Sequence, residues 1–285
     1  MELPEGQLIQ NSTQSHKKLS PPIEHYIAII IFYILFLILI YTISTQYILN
    51  INKNIFLRII IGILFYFSLL MTILSHYKSI IIDNTIDYIN PINSLLNNFC
   101  QKCNFERPQR SHHCKICGVC NLKMDHHCPY ILNCVGEKNE KYFYLFLLYT
   151  FLTCLFIFFS TFDYFISNIF SNNQIFLNKH FLSFLHNFFL NYDNYFTMIS
   201  FFFSLFLGLS ILYLIYFNWL HIKIGISTIE MKIYQNNLNE CPYYNDNWKD
   251  NLIKIFGNNI FKMFLPIEND SYQNEILENN YVEIK

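Results

Sequence analysis

The sequence predicts an all-α polytopic membrane protein, with four transmembrane helices and a small cysteine-rich domain between the second and the third. Three observations predict it. Of 285 residues, 53% are hydrophobic and only 14% are charged, against about 25% charged in an average soluble domain. Four stretches are apolar over the roughly 20 residues that a helix needs to cross a bilayer. Seven of the nine cysteines fall between Cys100 and Cys134. The aromatic content, 19%, excludes a disordered chain, which would be poor in aromatics and rich in charge. A formal net charge of −1 gives no basic surface for nucleic acid.

The first 25 residues form a polar N-terminal tail. The first span covers 26–48 and carries no charge; it is too long and starts too late for a signal peptide, so it is read as a retained helix. The second covers 55–77, with Arg58 near its start, where the guanidinium can snorkel to the interface. These two define a unit at 26–77. Residues 78–141 form the connecting cysteine-rich domain, with its core at 100–134. The third and fourth spans, 142–162 and 195–220, belong to a unit at 142–222 whose helices are joined by a loop at 163–194. All four spans are apolar on every face, unlike the striped helices of a soluble bundle. Within the 163–194 loop, Phe181, Leu182, Leu185, Phe188 and Phe189 recur at helical spacing and predict an interfacial helix. Residues 223–285 form the C-terminal region.

Orientation follows from Lys and Arg. Both termini and the 78–141 segment lie on one side and carry sixteen of the nineteen; Lys53, Arg58 and Lys179 lie on the other. That bias places the termini and the central segment in the cytosol and the 163–194 loop in the lumen or outside the cell. The expected location is an endomembrane, Golgi or ER, with the plasma membrane as the alternative.

A disulfide framework for the cysteines conflicts with that placement, because the cytosol is reducing. The pairs Cys100/Cys103 and Cys114/Cys117 have the Cys-x-x-Cys spacing that lets one tight turn present two thiolates to zinc. Seven Cys, together with His112, His113, His126 and His127, make eleven candidate ligands. Two closed tetrahedral sites use eight and leave three; the count does not say which. Zinc explains how a segment with few large apolar residues folds. The run Asp125-His126-His127-Cys128 adds a carboxylate, imidazoles and a thiol in four residues. A nearby His can take a thiol proton and an Asp can stabilise the imidazolium, the logic of a nucleophile–base–acid triad.

The pattern Cys100-x-x-Cys103, Arg107-Pro108, Arg110, His112-His113-Cys114, Cys117, Cys120, Asp125-His126-His127-Cys128-Pro129, Asn133-Cys134, Gly136, Asn139 and Phe143 resembles the cysteine-rich domain of the DHHC family of protein S-acyltransferases, the palmitoyltransferases. The resemblance implies one zinc on Cys100, Cys103, His113 and Cys120, and a second on Cys114, Cys117, His127 and Cys134. It leaves His112, His126 and Cys128 over. Cys128 is then the nucleophile, His126 its general base and Asp125 the residue that orients the base. The implied reaction transfers a long-chain acyl group, palmitoyl foremost, from acyl-CoA through acyl-Cys128 to the thiols of substrate proteins with membrane-proximal cysteines.

Further carry-over concerns the ends of the site. Ser227-Thr228-Ile229-Glu230 resembles the family's Thr-Thr-x-Glu motif with Ser in the first place. Asn251, with Pro242-Tyr243 before it and Ile255-Phe256-Gly257 after it, resembles the C-terminal element. Arg107, Arg110 and His112 are expected phosphate contacts for CoA. Thr153, twelve residues into the third span, is the expected floor of an acyl-chain pocket about 18 Å deep. Departures are the missing Asp-Pro-Gly after span two, where 87–93 stands, and Tyr130 in place of Trp. Partner choice is left to the termini or to an accessory subunit. Two other classes fit the sequence less well. A non-catalytic membrane zinc module leaves the spare Cys and His unexplained, and a transporter calls for ionisable groups within the spans.

Overall fold

The structure, a computed structural model, describes residues 18–45, 54–86, 99–171 and 192–268. The expected interfacial helix at 181–189, the 87–93 segment and the chain beyond 268 lie outside the described residues. Among the described residues, four helices are long and apolar enough to span a membrane. Helix α1 is Ile23–Ile43, α2 is Ile55–Ile81, α3 is Glu140–Ser171 and α4 is Tyr192–Ile224. The apolar windows of α3 and α4 are Glu140–Phe162 and Phe196–Ile224. Both helices run past the expected span ends, so the 163–194 connection is helical at each end. No Pro or Gly interrupts 163–171 or 192–195, and nothing local stops the helix there.

Pro21-Pro22 precedes α1, and a proline pair holds the chain extended until the helix begins. Asn54 caps α2 by accepting from the amides of Phe56 and Leu57. Helix α3 is the central one and packs against α1, α2 and α4. Its seam with α2 is lined by Ser68 and Thr72, whose hydroxyls lie 3.1 and 3.5 Å from Thr153 Oγ1. Small hydroxyl residues let helices approach closely where no water drives them together. Thr42 and Ser200 make the same kind of contact between α1 and α4 at 2.7 Å. Ile30, Ile34 and Leu37 of α1 face outward, as lipid-facing side chains do.

The cysteine-rich unit is three short antiparallel hairpins. They pair β1 (Phe99–Cys100) with β2 (Phe105–Glu106), β3 (His112–His113) with β4 (Cys120–Asn121), and β5 (His126–Cys128) with β6 (Asn133–Val135). A 3₁₀ turn, Pro129–Ile131, joins β5 to β6. Buried asparagines dock this unit on the end of α2. Asn133 Nδ2 donates to the carbonyls of Ser79, Ile80 and Ile82, and Asn139 Nδ2 to those of Ser79 and Cys134. They satisfy carbonyls that the last turn of a helix leaves without partners.

After α4 come α5 (Thr228–Ile233), α6 (Trp248–Phe256) and α7 (Ile260–Met263). Ser227 and Glu230 form a reciprocal capping box on α5. Asn251 Nδ2 donates to the carbonyls of Lys223 and Asn245, which fixes α6 to the end of α4. Lys141 Nζ donates to the carbonyls of Lys262 and Ile267, and Tyr149 Oη to that of Phe264. The chain after α4 is therefore tied back to α3.

Candidate active site and metal centres

Two clusters of metal-ligating side chains form in the cysteine-rich unit: Cys100, Cys103, His113 and Cys120, and Cys114, Cys117, His127 and Cys134. Their geometry suits zinc. Bonds of about 2.3 Å to sulfur and 2.0–2.1 Å to nitrogen place tetrahedral ligand atoms about 3.5–3.8 Å apart. In the first cluster the sulfurs of Cys100, Cys103 and Cys120 lie 3.8, 3.2 and 3.9 Å from His113 Nδ1. In the second, Cys114, Cys117 and Cys134 lie 3.7, 3.4 and 3.7 Å from His127 Nδ1. Both sets lie within about 0.4 Å of the edges of such a tetrahedron. The crowded thiols also oppose one another's ionisation. Contact with Cys114 pushes Cys117 up to about 11, while Cys114 itself is held low by its bonds to Cys117 and Cys134. A dication removes that conflict by stabilising every thiolate at once.

Strand β5 explains why His126 and His127 part company. Side chains alternate across a strand, so His127 turns to the second cluster while His126 and Cys128 share the opposite face. There His126 Nδ1 donates to Asp125 Oδ2 at 2.6 Å. Cys128, two residues further along β5, interacts with the same imidazole. Asp125 is held from behind by α5: the Thr228 amide donates to Oδ1 at 2.5 Å and the Thr228 hydroxyl to Oδ2 at 2.9 Å. Burial works to raise the Asp125 value, but His126 and Thr228 outweigh it and hold the carboxyl below the ordinary range. For His126, burial works to lower the value. The bonds and charges of Asp125 and Cys128 prevail and hold the imidazole up to about 9.

These groups sit at the polar rim of an apolar cavity of about 750 Å³, within the usual range for a small-molecule site. Phe32, Phe146, Phe203, Leu207 and Ile211 are among its walls, and Asp125, His126, Cys128 and Thr228 line its polar end.

The DHHC palmitoyltransferase family model matches residues 93–235. The chain belongs to the DHHC palmitoyltransferase family. Among curated relatives, Palmitoyltransferase ZDHHC15 of Xenopus laevis is 54% identical over 68 residues, 24% of this chain and 20% of the relative. Probable protein S-acyltransferase 14 of Arabidopsis thaliana is 65% identical over 54 residues, 19% of this chain and 18% of the relative. Palmitoyltransferase ZDHHC2 of Homo sapiens is 53% identical over 68 residues, 24% of this chain and 18% of the relative. The matched stretch thus spans about a fifth of each relative's length.

In this DHHC chain the expected metal ligands gather into the two expected sets, and Asp125, His126 and Cys128 gather on one face. Ser227, Thr228 and Glu230 lie beside them, with Asn251 one element further back. Thr153 is placed differently. It is fully buried with its hydroxyl on Tyr149 O and the α2 seam, so it packs helices and does not line the cavity. Thr150, about one turn nearer the rim, is the α3 threonine on the wall; the two sit about 60° apart round the helix.

Arg110 also has another task. Its Nε and Nη2 grip the two oxygens of Glu230 at 2.7 Å each, and Nη2 donates to Gly225 O at 2.9 Å. The Tyr243 ring lies 4.7 Å below the guanidinium. Gly225 has φ +70, and a β-carbon there would meet Asn251 at 3.0 Å; both facts call for glycine. His112 is half-buried, and burial with Arg107 and Arg110 nearby lowers its value. Sequence reading missed His76, and it named Asn133 and Asn139 without their docking on the end of α2. His76 carried a signal, since an ionisable side chain inside an apolar span marks a functional place.

Proposed function

We propose that this chain is a protein S-acyltransferase that carries a long-chain acyl group, palmitoyl foremost, from acyl-CoA to cysteine thiols of substrate proteins through acyl-Cys128. The observation that carries the reading is that Cys128 and His126 share one strand face at the polar rim of an otherwise apolar cavity. Each methylene of an acyl chain gains about 0.8 kcal/mol on leaving water, so the chain enters the cavity and its thioester stays at the rim.

His126 Nε2 takes the Cys128 proton, and Asp125 holds the resulting imidazolium. The sulfur attacks the thioester carbonyl. The tetrahedral adduct collapses, and the CoA sulfur leaves with the proton from His126. A substrate thiol then gives its proton to His126, attacks the acyl-Cys128 carbonyl and frees Cys128. A positioned general base contributes about 10²–10⁴-fold. Cys100, Cys103, His113 and Cys120 would hold one zinc, and Cys114, Cys117, His127 and Cys134 the other. With four protein ligands each, the ions would supply cross-links and leave no open position for substrate.

The Lys and Arg bias supports a cytosolic site and cytosolic termini. Golgi or ER is the proposed membrane, substrate proteins with membrane-proximal cysteines are the proposed partners, and an accessory subunit is a further one. Purified chain incubated with a clickable palmitoyl-CoA tests the core of this. Hydroxylamine-sensitive label is expected on wild type and absent from Cys128→Ser; equal labelling of both overturns the reading. Zinc at two per chain is expected from the two ligand sets.

A further inference from the structure

His76 is 2% exposed within the apolar span of α2. Burying an imidazole there is costly unless its ring nitrogens are paired. Both are paired. Nε2 lies 2.8 Å from the Tyr130 carbonyl oxygen, and Nδ1 meets the Tyr33 hydroxyl of α1. A carbonyl can only accept, so Nε2 carries the proton and Nδ1 accepts from Tyr33. The Phe146 ring, 4.6 Å away between centroids, blocks the imidazole from swinging. One neutral ring thus joins α1, α2 and the 3₁₀ turn that directly follows Cys128.

That turn is strained. It ends on Leu132 at φ +51, a left-handed conformation that costs a side-chain-bearing residue on the order of 1–3 kcal/mol and persists only when its surroundings impose it. Asn133 holds the far end of the turn against the α2 carbonyls. The near end is held by His76, through a carbonyl two residues beyond Cys128. His76 also lines the cavity beside Cys128 and Pro129, where the reacting thioester would lie.

We infer that His76 is a positioning residue for the nucleophile: its bond to the Tyr130 carbonyl, backed by Tyr33, sets where the Cys128 thiol meets the acyl carbonyl. The inference rests on Cys128 being the acyl carrier. Full-length chain in lipid nanodiscs is assayed for acyl-enzyme formation with palmitoyl-CoA, and separately for alkylation of Cys128 by iodoacetamide, read on the Cys128 peptide. His76→Phe keeps a ring and loses both bonds; His76→Gln restores a donor toward Tyr130. His76→Phe should slow acyl-enzyme formation about tenfold, or ~1.4 kcal/mol, with half-saturation by palmitoyl-CoA within about twofold of wild type. His76→Gln should recover to within about threefold of wild type, and the alkylation rate should shift and recover in parallel.

A wild-type rate in His76→Phe, an effect confined to half-saturation, or a His76→Gln as slow as His76→Phe at full zinc content overturns the inference. Should His76→Phe lose zinc, Tyr33→Phe decides: a slower step supports the clamp and an unchanged step sinks it. If wild type forms no acyl-Cys128, the acyltransferase reading fails. Alkylation then judges the clamp alone: a shift that Gln recovers upholds it, and no shift overturns it.

Discussion

Replacing Glu230 with Gln removes one charge from the place where the cysteine-rich unit and the chain after α4 meet. Three N–H donors converge on this carboxylate: Arg110 Nε on Oε1, and Arg110 Nη2 with the Ser227 amide on Oε2, all at 2.7 Å. A Gln has one carbonyl oxygen. Placed at Oε2 it keeps two donors, but its own NH₂ then faces Arg110 Nε, and one charge-assisted bond is lost for about 1.5–3 kcal/mol. The guanidinium also loses its neutralising partner. Removing one member of a fully buried pair costs about 3–5 kcal/mol; the Arg110 side chain keeps 22% exposure, so a total of about 3 kcal/mol is expected.

The consequence reaches Asp125 and, through His126, Cys128. Glu230 caps α5, and Thr228, the first residue of α5, grips Asp125. Glu230→Gln should lower the melting midpoint by several degrees and slow acyl-enzyme formation by about tenfold or more. Its pH signature is distinct. Burial raises the Glu230 value, but Arg110 and Ser227 dominate and hold it below its ordinary 4.5. A depressed carboxyl stabilises the fold above its unfolded value, and that stability is lost as pH falls through the folded value. The gap in melting midpoint between wild type and Glu230→Gln should be constant above pH 4.5 and shrink on acidification below it. An equal midpoint at neutral pH, or a gap that widens in acid, refutes the reasoning.

Other outcomes follow from the same geometry. Thr228→Val keeps the amide bond to Asp125 and removes the hydroxyl bond; with about 1.5–3 kcal/mol at stake for a charged acceptor, acyl-enzyme formation should fall about tenfold while zinc content holds. Cys120→Ser should lower zinc content and expose the unit to protease, since β4 carries both a ligand and the pairing to β3; full zinc content and wild-type protection would exclude the assigned set. Thr153→Trp should destabilise by overpacking the α2 seam, about 1–3 kcal/mol, and Thr153→Val should leave chain-length preference unchanged. Ser210→Trp, on the cavity wall, should shift preference toward shorter acyl-CoAs; competition between C12 and C16 donors reads both.

Much of this was legible because it is written locally. Apolar runs fix the spans, and Cys-x-x-Cys spacing marks the metal sets. Asp125, His126 and Cys128 are near neighbours, and strand alternation sorts His126 from His127 without any long-range contact. What escaped depends on rotation and on distant partners. Thr153 and Thr150 differ by three positions along one helix, and hydropathy cannot say which of them faces α2. Arg110 reads as a phosphate contact until it is seen to grip Glu230, 120 residues later. Asn133 matched a motif, yet its task at the end of α2 appears only once the unit is docked. His76 stood out chemically, but its partners Tyr33 and Tyr130 lie on two other elements.

Under the proposed function, a cavity apolar over most of its wall, with the reacting groups at one end, holds the two halves of one thioester in different solvents. The hydrocarbon half is in equilibrium with the bilayer and the nucleotide half with water. Such a catalyst works as a phase-transfer agent. Its effective donor concentration is set by partition into the leaflet, so dilution of acyl-CoA in added lipid should act on the rate as a competitive inhibitor acts, with no second site required.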